Sequence, residues 1–488
     1  MSAISSPAQP VAGDNTGTGR PPVAVAEIDA SCRAPVLLLF VSAALWLLAA
    51  SVLGMVATLK FHSPELLADC PWMTYGRVHP ANLNALVYGF AAQAGLGVLL
   101  WLLCHLGRTR LEFLPGIIAG VFIWNAGVTI GILGIIAGEN TGYEWLEMPR
   151  YAMVTLFGAY LLMGLGAMMT FHRRRAEGLY ISEWFLLAAV FWFPWIYSTA
   201  GFLLVAKPVR GALQAVIDAW YVTNLNRVWF GFIGLAAIFY FIPKLTKRPL
   251  HSHYLGVFIF WTLAMFGSWG GVPVGAPLPS WVPALSTVAT VLVLVPVLGV
   301  AMNVRGTAAG ECLTLARNSS ARFIIFSVAA YVIAGLSGAI ASLDRVSEVV
   351  NFTWFLPAQT QLNLYGFFAM AMFGSIYLIV PRLLGAEFSP RLVGAHFWLA
   401  ALGIVIYVVP LAVGGAVQGG ALNLGSDAFF GVMHSTLPFL RASTTGDLLM
   451  AAGHLVFLLN LAGLLARVGR QAMRDACACN LKTVEAAS

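Results

Sequence analysis

The sequence predicts an all-α integral membrane protein, a single bundle of twelve transmembrane helices. Two observations carry this. Of 488 residues, 59% are hydrophobic and 10% charged, and the mean hydropathy is +0.83, outside the range of soluble globular chains. Apolar runs of about twenty residues, enough for a helix to cross a ~30 Å hydrocarbon core, recur along nearly the whole chain. Backbone groups in lipid must be paired within their own segment or in a closed barrel, and runs of this length satisfy the first condition.

The predicted spans, in order, are 35–58, 80–106, 114–137, 149–172, 180–205, 213–242, 252–272, 280–303, 321–341, 355–381, 391–417 and 444–468. The intervening loops are short, which leaves one bundle over residues 35–468 and no separate soluble domain. Residues 1–34, rich in Pro, Gly, Ala and Ser, read as a disordered tail without the pattern of a cleaved signal peptide, and 469–488 as a C-terminal tail.

The net charge of +7 is a topology signal and not a nucleic-acid footprint. Nineteen of the 27 Lys and Arg fall in the two tails or after even-numbered spans, as in Arg173, Arg174 and Arg175 or Lys244, Lys247 and Arg248. The positive-inside rule therefore puts both termini in the cytoplasm. Six cysteines include no C-x-x-C; Cys477 and Cys479 are a solvated tail pair with weak metal spacing.

Ionisable groups at membrane depth cost roughly 2.5–3.5 kcal/mol on insertion scales, so each is informative. Arg227, in WYVTNLNRVWFGF, is the outlier, on one helical face with Thr223 and beside Asn226. It is expected either to pair with an acid such as Asp344 or Glu348, or to serve an anion or proton path. Of nine histidines, His105, His172, His251 and His253 fall in basic cytoplasmic segments and His434 in the long outer loop, which leaves His396 and His454 as the intramembrane candidates; His79 sits at the mouth of the second span. Walker loops, dinucleotide fingerprints and nucleophile elbows are absent. Trp72, Trp145, Trp269, Trp281 and Trp354 fall at predicted outer ends, as in an aromatic belt. The tenth span is unusual: LPAQTQLNLYGFF carries Gln359, Gln361 and Asn363 at alternate positions.

Several stretches together resemble the catalytic subunit of cytochrome cbb-type, or C-family, heme-copper oxidases. CPWMTYGRVHPANLNALVYGF is similar to the family's loop and second helix, and WYVTNLNRVWFGFIGLAAIFYFIPKLTKRP to its sixth. FIFWTLAMFGSWGG with PLPSW resembles the seventh, VSEVVNFTWFLPAQTQLNLYGFFAM the approach to the tenth, and AHFWLAALGIVIYVVPLAVGGAVQG the eleventh. The resemblance implies a twelve-helix fold, a bacterial cytoplasmic membrane, and respiratory partners such as membrane-anchored c-type cytochromes.

It also implies six metal-ligand positions, and each carries another residue here. The low-spin heme ligands of the family fall on Asn82 and Gln361, and the high-spin heme ligand on Gln359. The copper ligands fall on Thr223, Pro273 and Val274, and the redox tyrosine on Gly267. Amides are poor donors to iron, and Pro and Val offer copper nothing. The expectation is a family member without heme or copper, in which heme b would be kept only unligated in the apolar cavity or by recruiting His79, His396 or His454. Asn82, Asn84, Asn224, Asn226, Gln359, Gln361 and Asn363 are then expected to satisfy one another, with Arg227 in the vacated centre. Such a subunit would be structural, assembly-related or regulatory. The alternatives are an active terminal oxidase that reduces O2 with electrons from cytochrome c while pumping protons, and a proton or small-anion channel or carrier.

Overall fold

A computed structural model describes residues 23–272, 274–425 and 429–485, with side chains left out at 312, 313 and beyond 475. Pro273 therefore lies outside the described residues, and the side chains of Cys477 and Cys479 outside what can be described. Eleven helices among the described residues are long and apolar enough to cross a membrane. These are α1 (Val25–Leu59), α2 (Tyr75–Leu106), α3 (Leu114–Ala137), α4 (Arg150–His172), α5 (Ile181–Ala206) and α6 (Leu213–Thr246). After them come α8 (Trp281–Ala308), α9 (Ser319–Ala341), α10 (Phe355–Leu384), α11 (Pro390–Leu424) and α12 (Phe429–Glu485). The predicted seventh span is the shorter apolar helix α7, His253–Gly267.

Burial sorts these helices into a centre and a rim. The most apolar eighteen-residue window of α2 is wholly buried, and those of α6 and α10 are 83% and 78% buried, against 39–50% in the other spanning helices. A helix apolar on every side and buried on every side has protein, not lipid, around it. Each central helix also carries a π-helical stretch, Ala85–Ala91 in α2, Asn224–Trp229 in α6 and Leu362–Ala369 in α10. A further one closes α5 at Gly201–Ala206. Such stretches are rare and gather at functional sites.

The expected boundaries need correction at both ends. Val25–Ala34 is helical, not a tail, because Ile28 and Cys32 are buried and the polar residues are tied down. Asp29 lies 3.1 Å from His105 Nε2, and Arg110 donates to Glu27 at 2.5 Å. At the other end α12 continues past 469 to Glu485, since QAMRDACACNLKTV contains no helix breaker, and it begins at Phe429, so the predicted outer loop around His434 is helix. Trp145 does not belong to an aromatic belt: it is fully buried, in a loop where Tyr88 Oη donates to its carbonyl at 2.5 Å.

Close packing at the α10 entrance depends on two glycines of α11. A Cβ on Gly415 would lie 2.1 Å from Phe355 N, and one on Gly419 1.6 Å from the Val349 carbonyl oxygen. These glycines let the segment leading into α10 lie directly on α11.

Candidate functional site

The residues singled out from sequence separate into three groups around α2, α6 and α10. The first surrounds Arg227. Gln359, in the first turns of α10, turns toward α9: its Nε2 donates to the Ala334 carbonyl at 2.6 Å, and Ser337 Oγ lies 2.7 Å from its Oε1. A Cβ on Gly338 would sit 3.1 Å from both Arg227 Nη2 and Gln359 Nε2, so the bare backbone of α9 makes room for these two groups side by side. The ion pairs among the described residues do not include Arg227, so the expected partnership with Asp344 or Glu348 is not made. Thr223, one turn earlier, meets the loop after α7; a Cβ on Gly271 would lie 2.2 Å from Thr223 Oγ1, and Gly271 has φ +100°. Val274 follows in that loop, and Gly267 closes α7 against Val228.

The second group lines a cavity between α1, α2, α10, α11 and α12, with about 790 Å³ of atom-free space including its open mouth. Asn82 and Gln361, the two positions that the resemblance assigns to the low-spin heme, both line it, as does His79, stacked on Tyr75 with ring centroids 5.1 Å apart. Neither amide has a side-chain hydrogen-bond partner among the described residues. His454 reaches the same cavity with both ring nitrogens engaged, Nδ1 2.6 Å from Ser51 Oγ and Nε2 2.6 Å from Tyr365 Oη. Ser51 gives its single hydroxyl proton to the Leu47 carbonyl at 2.8 Å, so it accepts from His454 Nδ1–H, and Tyr365 donates to Nε2. The Nε2 lone pair is thereby occupied. His396 lies elsewhere, fully buried among Phe323, Phe373 and Phe457, with Nδ1 2.9 Å from Tyr377 Oη.

The third group holds the inter-helix amide contacts, and it corrects the expected seven-residue network. Only Asn226 and Asn363 pair with each other. Asn224 turns away from the centre, donating to the Trp220 and Ser268 carbonyls and accepting from Trp192 Nε1. Asn84 donates at 2.6 Å to Glu147, a carboxyl that the sequence reading missed. Glu147 stands in the outer loop between α3 and α4, near Glu144, whose backbone N–H donates to Asp218. Burial pushes the Glu147 carboxyl up to about 8, with the neighbouring acids Glu144 and Asp218 adding to the shift. The missed signal was local: Glu147 falls in the stretch Trp145, Leu146, Glu147, Met148, Pro149, the buried end of a loop in which the preceding Glu144 is exposed.

The family model for cytochrome c and quinol oxidase polypeptide I matches residues 34–459. The chain belongs to this family. A relative described as a cytochrome c oxidase subunit 1 homolog, from Azorhizobium caulinodans, is 25% identical over 452 residues, covering 88% of this chain and 81% of its own. The cbb3-type cytochrome c oxidase subunit CcoN1 of Stutzerimonas stutzeri is 26% identical over 392 residues, covering 77% and 81%. A heme-copper terminal oxidase dimer solved by cryo-EM superposes with a TM-score of 0.69 at 14% identity, over 88% of this chain and 84% of that one, a likeness of fold.

The groups bound in this family can be tested against the donors present. At the positions assigned to copper, Thr223 offers a hydroxyl and Val274 an alkyl group, one helical turn from a guanidinium that repels a cation. Among the described residues no three His, Cys, Asp or Glu side chains converge on a metal position. In the cavity lined by Asn82 and Gln361, His79 is the one fallback imidazole without a hydrogen-bond partner among the described residues, and no Lys or Arg lines the wall to meet a porphyrin's propionates. The donor set fits neither copper nor a doubly ligated heme.

Proposed function

We propose that this oxidase-family subunit keeps the twelve-helix scaffold without the heme and copper redox centres. It then acts as a structural, assembly or regulatory subunit of a respiratory complex in a bacterial cytoplasmic membrane, beside partners such as membrane-anchored c-type cytochromes, with both termini cytoplasmic. The observation that carries this reading is the state of the imidazoles. Positions 82, 223, 274, 359 and 361 have none, and the His454 lone pair is taken up by Tyr365. Iron and copper sites in proteins are built on nitrogen or sulfur donors, which an Asn or Gln amide does not replace. The test is a reduced-minus-oxidised optical spectrum of the purified protein together with metal analysis. The expected result is no b-type heme band and no stoichiometric copper; two b hemes and one copper per chain would restore the terminal-oxidase reading.

Arg227 supports a second reading, a path for a small anion or for protons. A guanidinium with no ion pair among the described residues, facing an amide on α10 and the open backbone of α9, is an attractive stop for an anion crossing the bundle. Proteoliposome flux that Arg227→Leu abolishes would favour it, and flux equal to that of empty liposomes would remove it.

A further inference from the structure

The cavity that Asn82 and Gln361 line has a chemistry of its own. Its 23 lining residues include no Lys, Arg or Glu, and a single Asp, Asp447 on α12. Thr58, whose hydroxyl donates to the Gly54 carbonyl, lines the same wall, and the ion pairs among the described residues do not include Asp447. Around it the wall is aromatic. Phe61 meets Trp354 edge to face, centroids 5.8 Å apart at 86°, and meets Tyr75 at 5.7 Å and 49°, so three of the lining residues form one aromatic cluster. Tyr407 adds a fourth.

A lone carboxylate in an aromatic enclosure selects against anions by repulsion and for cations twice over, by ion pairing and by the negative faces of the rings. The unpartnered amide oxygens of Asn82 and Gln361 would accept hydrogen bonds from an ammonium N–H. We propose that this cavity binds a small hydrophobic organic cation, a protonated or quaternary amine, with Asp447 as counter-ion and Phe61, Tyr75, Trp354 and Tyr407 as the cage. The proposal rests on the heme-free reading, because a porphyrin would fill the same space.

The experiment uses the full chain in detergent and isothermal titration calorimetry with benzyltrimethylammonium, with neopentylbenzene as its uncharged isostere. Saturable binding of the cation, at least about tenfold tighter than the isostere, is expected. Asp447→Asn, which keeps shape and removes charge, is expected to weaken cation binding about tenfold and leave the isostere unchanged. Trp354→Leu, at the edge of the cavity, supplies an independent variant and weakens the cation alone. Equal binding of cation and isostere, or cation binding indifferent to both variants, overturns the proposal. The optical spectrum of the same sample separates the two failures. A heme band lost in His79→Ala defeats the heme-free reading, whereas a heme-free protein that ignores the cation defeats only this inference.

Discussion

Asn363 Nδ2 donates to both the backbone carbonyl and the side-chain Oδ1 of Asn226, each at 2.9 Å. Both residues sit in π-helical stretches, one in α10 and the other in α6, and both are buried. Where the usual helical ladder is interrupted, a side-chain amide from the facing helix takes up a carbonyl. Asn363→Ala leaves two buried acceptors unpaired and is expected to cost about 1–3 kcal/mol. Thermal unfolding in detergent measures it, and a cycle with Asn226→Ala should be strongly non-additive.

The His454 arrangement predicts chemical reactivity. With Nε2 accepting from Tyr365 and Nδ1 donating to Ser51, the ring has no free nitrogen for an electrophile. Diethyl pyrocarbonate followed by mass spectrometry should modify His79, which lines the cavity without a hydrogen-bond partner among the described residues, and spare His454. Tyr365→Phe should open His454 to modification and cost about 1 kcal/mol in stability. Modification of His454 in the unaltered protein would contradict the assigned tautomer.

The outer-loop acids predict a pH dependence of stability. Glu147, with its carboxyl raised from 4.5 to about 8, keeps its proton in the fold at pH values where the unfolded chain releases it. The unfolded state therefore binds fewer protons between those two values, and stability falls as pH rises through the window. Melting temperature should decline from pH 5 to pH 8. Glu147→Gln should flatten that decline and be the more stable protein at pH 7.5, by on the order of 4 kcal/mol.

Arg227 predicts a trade between stability and use. A guanidinium held inside the bundle without an ion pair among the described residues is a desolvation cost with no carboxylate to offset it. Arg227→Met should raise unfolding stability by about 1 kcal/mol or more. A loss of stability of similar size would mean that the charge holds α6 and α9 together.

Much of the bundle was legible because lipid imposes a simple demand: a helix must be apolar for about twenty residues, and the composition of each segment states this directly. The central position of α2, α6 and α10 was foreshadowed by their amides, which lipid would not tolerate. What could not be read was the direction each amide takes. Asn224 and Asn226 are two residues apart, which on a helix puts them about 200° apart, and only the packing decides that Asn226 is the one that meets α10. Asp447 was readable and overlooked: it is an acid within a predicted span, seven residues and two turns before His454, and so on the same face. The helical Val25–Ala34 was hidden for another reason. Its order comes from Asp29 meeting His105 and Trp101 of α2, contacts far away in the chain that local composition does not announce.

The π-helical stretches give the three central helices a kind of modular inheritance. Each accommodates one surplus residue without turning the far end of its helix, whereas losing that residue from a regular helix would swing every later side chain by about 100°. In α10 the stretch Leu362–Ala369 separates Gln359 and Gln361 from Tyr377 and the inner packing below. The outer ends of α2, α6 and α10 can therefore gain or lose a residue while the inner halves keep the register of their packing.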